Sequence, residues 1–392
     1  MRRMSALWEV FVVKFEDALG RYRKRRLTAE EAGELLGMSG RHFRRLVERY
    51  DEEGWEGLRD RRLDKVSPRR APASELARMQ KLYRDFYGDF TIKHFHEHLQ
   101  ERHGYRLSYT VTRLALQAAG LARKTKRGGA HRKKRERRPL PGMLLFQDGS
   151  THRWIAALDY DLDLIVTLDD ATGSIYSALL VAEEGTASSF LGLAETIAAE
   201  GLFRAFYTDR GSHYFHTPKA GGKVDKTRLT QVGRALQQLG VTHIPSYSPE
   251  ARGRMERVFG TLQKRLPPEL RLAEIDTLEA ANLYLKARFV PEYNARFAVS
   301  AAEPGSAFIR YAGRPLEEVL CIQEDRQVGR DNCVQWKGLS LQIPPQRHRH
   351  HYVKATVRVH EYPDGRLAIF DGPSCLGRFD QKGNPTNVSR AA

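Results

Sequence analysis

The sequence predicts a multidomain α/β protein with N-terminal helix-turn-helix modules, a central α/β core and a small C-terminal β-barrel. Three observations predict it. At 392 residues the chain is too long for one ordinary domain, and its 41% hydrophobic content can fill two or three cores. The apolar periodicity switches from helical to strand-like near Met143, and to short alternating strands near Pro315. The 65 Lys and Arg against 48 Asp and Glu leave a formal charge of +17, which favours a polyanionic partner, with nucleic acid the first candidate. The expected division is a helix-turn-helix domain over 1–66, a second, winged-helix-like module over 67–121, a basic linker over 122–142, the core over 143–300 and the barrel over 301–385.

The opening MRRMSALWEVFVVKFEDALG has charges interrupting its apolar run and no small-residue cleavage site, so it is not read as a leader. No other run approaches a membrane span. Cys321, Cys333 and Cys375 show no metal-ligand spacing and suit a reducing cytoplasm, where a strongly basic chain would associate with the nucleoid.

RLTAEEAGELLGMSGRHFRRLVERY, Arg26 to Tyr50, reads as two short helices joined at Gly37-Met38. Thr28 with Glu31 makes a capping box and Ser39 caps the second helix. Ala32, Leu35 and Leu36 form one apolar stripe; Phe43, Leu46, Val47 and Tyr50 form another. The opposite face of the second helix carries Arg41, His42, Arg44 and Arg45, a basic face sized for the major groove, or else a solvated one. After SPRRAPAS, the residues Leu76, Met79, Leu82, Tyr83 and Phe86 begin another helical set, followed by helices capped by Thr91 and Ser108. His94, His96, His98 and His103 invite a metal reading, since His94 and His98 are four apart; Phe95 and Leu99 claim the core face and no cysteine is near, so none is expected. From Arg123 to Arg138 ten Lys/Arg stand against one Glu. Lys124, Lys126, Arg127, Arg132, Lys133, Lys134 and Arg135 are its candidate phosphate contacts, with a solvated hinge as the alternative.

In the core, MLLFQD, LDLIVTLDD and SIYSALLVAE read as successive strands, the last two joined by a turn at Ala171-Thr172-Gly173. A helix over about Thr186 to Glu200, the strand LFRAFYTD, a helix over about Thr227 to Leu239 and the short strand VTHIPS follow. This βββαβαβ order, followed by a helix, is that of an RNase H-like domain. Asp148 lies in or at the end of the first strand and Asp209 ends the fourth, so both can point to one sheet edge. In SPEARGRMERVFGTLQ, the residues Met255, Val258, Phe259, Leu262 and Leu266 make a helical stripe. Glu256 borders it, about 100° of turn from Met255, while Glu250 falls in the approach loop. Three converging carboxylates need a cation, and hard oxygen donors suit Mg²⁺ or Mn²⁺, two ions serving phosphoryl transfer without a protein nucleophile.

FQDGSTHRW around Asp148, LDDATG at Leu168 to Gly173, YTDRGSHY around Asp209, SPEARGRMERVFGTLQ around Glu256 and YNARFAV at Tyr293 to Val299 together resemble the DDE transposases, which are related to retroviral integrases, and most closely the ISNCY-type insertion-sequence group. With the N-terminal helices the resemblance covers nearly the whole chain. It implies a metal-binding catalytic trio of Asp148, Asp209 and Glu256, whereas the residue matching Glu250 is commonly an amide in that family. The stretch between Asp209 and Glu256 is longer than the spacing that gives integrases their motif name. The excess lies in HTPKAGGKVDKTR, which reads as a surface loop and discounts Asp225. Arg210 stands where many relatives have Asn, and either binds phosphate or damps the charge of Asp209. His152 either orients a water or phosphate, or packs. Asp169 and Asp170 read as turn supports, and Arg252, Arg254 and Arg257 as DNA contacts or charge balance.

From EVLCIQ to GRLAIF the pattern is short strands, with Val353, Ala355, Val357 and Val359 alternating and a hairpin turn at Pro363-Asp364-Gly365. QRHRHHYVK offers basic groups for DNA backbone; its histidines come from one loop and are not read as a metal site. The function implied is a transposase that binds terminal inverted repeats and target DNA as at least a dimer. Cleaving the 3′ strand and transferring it would use two Mg²⁺ or Mn²⁺ ions per site. An inactive DNA-binding regulator, or a structure-selective nuclease of the same fold, are the alternatives.

Overall fold

The computed structural model describes residues 2–60, 70–124, 135–219, 222–225, 227–247, 249–346 and 349–386, with backbone alone for 2–7 and 249–252. The chain divides into two compact units, Met1–Ala73 and Ser74–Ala392.

In the first unit α1 (Arg2–Arg23), α2 (Ala29–Leu35) and α3 (Gly40–Glu53) enclose Phe15, Leu19, Ala32, Phe43 and Leu46. The long first helix was not expected from sequence. Its Phe15, Ala18 and Leu19 recur at helical spacing and supply the third wall that two short helices lack. Thr28 and Glu31 form the reciprocal capping box, and Ser39 Oγ accepts from His42 N at 3.3 Å. Gly33 allows the close turn: a methyl there would stand 2.7 Å from the Met38 carbonyl oxygen. Leu35, expected in the apolar stripe, is 62% exposed.

The second unit begins with α4 (Ala73–Phe86), α5 (Ile92–His103) and α6 (Tyr109–Ala118), packed around Met79, Tyr83, Phe95, Leu99 and Leu116. Thr91 and Ser108 cap as expected, while Phe86 turns outward. Next comes a five-stranded sheet of β1 (Leu145–His152), β2 (Leu162–Asp169), β3 (Ile175–Val181), β4 (Ala205–Thr208) and β5 (Thr242–Pro245), in the order β3-β2-β1-β4-β5. β1, β2 and β3 pair antiparallel, and β1–β4 and β4–β5 pair parallel. One face is covered by α7 (Thr186–Glu200) and α8 (Gln231–Gln238), which shares a core of Leu145, Phe190, Phe206 and Leu236. The other is covered by α9 (Pro249–Leu272), α10 (Leu278–Tyr284) and α11 (Val290–Phe297), with Phe146, Val166, Met255, Leu262 and Leu285. The helix expected from Thr227 starts at Gln231, capped by Thr230, because Asp225 holds Thr227 and Arg228 in a turn.

The edge strand β3 has backbone groups at Leu180 and Ile175 met by two side chains. Asn282 accepts from Leu180 N at 2.7 Å and donates to Leu180 O at 2.9 Å; Asn294, from YNARFAV, does the same to Ile175 at 2.8 Å each way. Each amide imitates a strand residue and closes an edge that would otherwise invite pairing.

Toward the C-terminus β6 (Ile322–Gln327), β9 (Thr356–Glu361), β10 (Leu367–Asp371) and β11 (Ser374–Phe379) form one antiparallel sheet, β11-β10-β9-β6. β7 (Cys333–Trp336) and β8 (Leu339–Gln342) pair only with each other. Among the described residues the expected small barrel is therefore replaced by an open sheet and a ribbon. They share a core of Val334, Trp336, Leu341, Val359 and Ile369, but the ladder does not run around.

Candidate active site at the β1–β4 edge

Asp148 and Asp209 come from neighbouring parallel strands. The ladder pairs Leu145 with Phe206 and Phe146 with Tyr207, so continuing that register sets Asp148 level with Asp209. Alternation puts both on one face: Phe146, Ala205 and Tyr207 belong to the core under α9, and Asp148 and Asp209 share their parity. β4 ends at Thr208 while β1 continues to His152 along β2, so beyond the aspartates β1 has a notch on its β4 side. Both carboxylates are partly buried, and Asp209 Oδ1 accepts from Gly211 N at 2.7 Å, which turns the chain sharply after the strand.

α9 brings Glu256. Met255, Phe259, Leu262, Leu266 and Leu270 bury the helix's inner stripe, and Glu256 beside Met255 remains exposed. Seven residues on, Gln263 Nε2 donates to Ser150 Oγ at 3.1 Å and ties α9 to β1 on the face that also bears Asp148. Glu250 lies in the first turn of α9, which starts at Pro249, and not in a loop. Proline at a helix start loses no hydrogen bond, which is why the helix reaches further back than expected.

Three further groups line this edge that sequence reasoning missed. Tyr214 is fully buried; it donates to Gln147 Oε1 at 2.9 Å and accepts from Ser189 Oγ at 3.2 Å. Burial first, then the negative charges of Glu184, Asp148 and Asp209, push its phenol well above the ordinary range, against the hydrogen bond from Ser189. Glu184 reaches β1 from the α7 side: a methyl on Gly149 would stand 2.3 Å from Glu184 Oε2. His213 Nε2 is 3.5 Å from Glu184 Oε1, and its ring lies over Gly211 beside Asp209. The available signals were the glycines, Gly149 directly after Asp148 and Gly211 two after Asp209, which leave room for these side chains.

Other expected site residues have various placements. Arg41, His42, Arg44 and Arg45 are exposed on α3, with Arg44 3.1 Å from Glu30 Oε1. Lys124 and Arg257 are exposed; Lys126, Arg127, Arg132, Lys133 and Lys134, with the side chain of Arg252, lie outside the described residues. Arg135 and Arg254, expected to meet DNA, both pair with the fully buried Asp170, whose other oxygen accepts from Arg138 N at 2.7 Å. A buried carboxylate needs such partners, so these two arginines join the linker's end to the start of α9. Burial, then neighbouring arginines, brings the Arg254 guanidinium down to about 10. Asp169 supports its turn as expected, accepting from Thr172 N at 2.8 Å. Arg210 donates to Gly222 O at 2.7 Å and stacks 5.1 Å over Tyr247, holding the inserted loop. His152 packs 5.2 Å from the buried Trp154 ring.

His94 and His98, expected to lie off the core face, are 1% and 3% exposed. Both Nε2 atoms meet one oxygen of Glu269 on α9, at 2.8 and 2.7 Å. Two ligands of one tetrahedral ion, each bonded at about 2.0–2.2 Å, would lie about 3.3 Å apart, and Arg102 Nη2 stands 3.9 Å from the other Glu269 oxygen. The contacts are therefore hydrogen bonds from two imidazole N–H groups to a carboxylate. Around them Arg265 and Arg296 bond Glu97 at 2.8 and 2.6 Å, and Arg271 bonds Asp89 through both oxygens at 2.7 Å. The second helical module is thereby built into the same unit as the core.

Fold and site together define a multidomain α/β protein with two aspartates level on adjacent strands of one sheet and helical modules preceding them in the chain. Residues 16–84 match the family described as a helix-turn-helix domain. Over 346 residues the chain is 32% identical to the putative transposase y4bF of Sinorhizobium fredii (strain NBRC 101917 / NGR234), across 88% of this chain and 75% of that protein. It is 28% identical over 315 residues to the transposase for insertion sequence IS1202 of Streptococcus pneumoniae, across 71% of this chain and 66% of that one. The chain belongs to the transposase family. Among solved structures it is similar to the HTLV-2 integrase catalytic core domain in complex with magnesium, at 16% identity and a TM-score of 0.30 over 42% of this chain and 93% of that one. It is also similar to the simian T-cell lymphotropic virus intasome in complex with PP2A regulatory subunit B56 gamma, at 14% identity and 0.34 over 80% and 100%. Among the described residues no helix is long and apolar enough to cross a membrane.

Proposed function

We propose that the chain binds the terminal inverted repeats of a mobile element, cleaves the 3′ strand at each end and joins the new 3′-hydroxyl to a target phosphodiester. The observation that carries this is the level placement of Asp148 and Asp209 on adjacent parallel strands, under the helix that bears Glu256. These donors are carboxylate oxygens, which fit Mg²⁺ or Mn²⁺. Bound there, a pair of such ions would supply an activated water or hydroxyl and a stabilised leaving oxygen.

The chain's own contribution is rigidity. Asp148 sits within the hydrogen-bonded strand β1 and Asp209 directly follows β4, and Glu256 rides on a helix fixed by its buried stripe and by the Gln263–Ser150 bond. Such supports hold a carboxylate more firmly than a loop does. Arg41, His42, Arg44 and Arg45 contact the repeat; Lys124, Lys126, Arg127, Arg132, Lys133, Lys134, Arg252 and Arg257 contact DNA phosphates. Because two ends react together, the active form is at least a dimer. The 1–66 and 67–121 segments serve as DNA-binding modules and 143–300 as the catalytic core.

Strand transfer with paired end-repeat DNA and Mg²⁺ tests the reading. Asp148→Asn, Asp209→Asn and Glu256→Gln are each expected to lose at least about 100-fold in rate, near 3 kcal/mol of transition-state stabilisation, while binding end DNA as tightly as the wild type. Full activity from Glu256→Gln would sink the assignment. Cleavage without joining would mark a nuclease, and binding without either step a regulator.

A further inference from the structure

Arg254 and Glu256 leave α9 on opposite flanks of its buried stripe. Met255, Phe259, Leu262 and Leu266 line that stripe, and at about 100° per residue one neighbour of Met255 emerges on each side. Glu256 is exposed, so its direction follows from the roll of the helix. Gln263, seven residues on, points within about 20° of Glu256 and bonds Ser150 Oγ of β1 at 3.1 Å.

The opposite flank is held as well. Arg254 is 13% exposed and reaches Asp170, which is closed to solvent. Asp170 directly follows β2, and its N donates to Leu144 O at 3.0 Å beside the start of β1. Its Oδ1 accepts from Arg254 Nη1 and Arg135 Nη2, and its Oδ2 from Arg138 N at 2.7 Å. Arg254 Nη2 donates in turn to Arg135 O at 2.7 Å. Two bonds from separate nitrogens of a planar guanidinium fix its orientation as well as its distance. Apolar burial is non-directional, so the roll of α9 is set by these bonds on one flank and by the Gln263–Ser150 bond on the other. At the helix surface, about 5–6 Å from the axis, a roll of about 10° moves a side chain by about 1 Å. A misplacement of about 1 Å costs on the order of 100-fold in rate.

We propose that Asp170 is the positioning residue for Glu256: through Arg254 it sets the roll of α9 and so the direction in which Glu256 faces. This rests on the reading of Glu256 as a catalytic carboxylate. The same carboxylate holds Arg135 and Arg138 at the linker's end, so the segment expected to meet DNA and the helix bearing Glu256 share one anchor.

The test uses the full chain as wild type, Asp170→Asn, Arg254→Gln and Glu256→Gln, and the first two substitutions each combined with Glu256→Gln. In single-turnover strand transfer with paired end-repeat DNA and Mg²⁺, Asp170→Asn and Arg254→Gln should each lower the maximal rate at least about tenfold, with the half-saturating DNA concentration kept. In the Glu256→Gln background neither should cost more than about twofold further, because the group they position is already gone. Hydrogen exchange without DNA or metal should quicken at residues 253–257 in both variants and stay unchanged around Leu262 and Leu266. Should Asp170→Asn fail to fold, Arg254→Gln carries the same readouts. Wild-type rate or unchanged exchange in Arg254→Gln, with Glu256→Gln inactive, would overturn the positioning role and leave the trio standing. An undiminished loss in the Glu256→Gln background would also overturn it, as would a raised half-saturating DNA concentration at full rate. Full activity from Glu256→Gln would overturn the trio and the role of Asp170 together.

Discussion

Glu269→Ala should destabilise the second unit by about 4 kcal/mol. One carboxylate, 8% exposed, accepts from His94 Nε2 at 2.8 Å, His98 Nε2 at 2.7 Å and Tyr284 Oη at 3.3 Å. Burial alone would raise its carboxyl, but the hydrogen bonds from His94 and His98 outweigh that and hold it well below the ordinary range. It is therefore ionised, and its bonds are charge-assisted. The Nδ1 atoms of both histidines are already buried without partners, so truncation leaves each imidazole with no hydrogen bond. A stranded buried donor costs roughly 1–3 kcal/mol, giving about 2–6 for the pair. At about 2 °C per kcal/mol for a large domain, the melting temperature should drop by roughly 8 °C. Calorimetry of the full chain would record this, and hydrogen exchange should show α5 opening first. Glu269→Gln, which keeps an acceptor, should lose less. The reasoning fails if Glu269→Ala costs under about 1 kcal/mol, or if it costs as much in a His94→Phe/His98→Leu background, since then no coupling exists.

Asn294→Ala strips the partners from Ile175 N and O, and should cost about 1–3 kcal/mol and raise the aggregation rate through the opened β3 edge; unchanged light scattering and melting would count against the edge-sealing role. Acid should destabilise the second unit. His360, held down at about 4 by burial and then by Arg234, Arg358, Arg378 and Arg314, and His94, lowered by burial against its bond to Glu269, both fold neutral. The unfolded chain therefore takes up protons first. Stability is full above about pH 6.5 and falls as pH drops toward the folded values, at up to about 1.4 kcal/mol per unit per histidine. Melting temperatures from pH 7.5 to 4.5 should slope less in His360→Phe; an identical slope would refute this assignment.

How far the site was legible in sequence depends on the range of the interaction. Asp148, Asp209 and Glu256 can be put forward from sequence because strand position and helical phase are local: Met255 and Phe259 settle which way α9 faces, and Glu256 follows at the border. The packing of Glu184 against Gly149, with His213 beside it, was not legible, because nothing adjacent in the chain distinguishes a carboxylate before a helix from one that turns onto another strand. Arg254 failed in the opposite sense: expected to meet DNA or balance charge, it pairs with Asp170, far away in sequence. Glu269 drew no reading from sequence and is bonded to α5, also distant in the chain.

The sequence by itself determined the order of strands and helices from β1 to α9, the capped helices and the helix-turn-helix, since these follow from periodicity, turn residues and caps within a few positions. Only the tertiary structure decided the partners of buried charge. The Asp170 clamp, the Glu269 hub, the asparagine-sealed edge of β3 and the failure of the C-terminal strands to close each join groups far apart in the chain. The physical reason is that apolar burial is written as a repeating pattern any helix or strand displays, whereas a buried polar group is stabilised by one specific partner, and the chain between them carries no trace of which it will be.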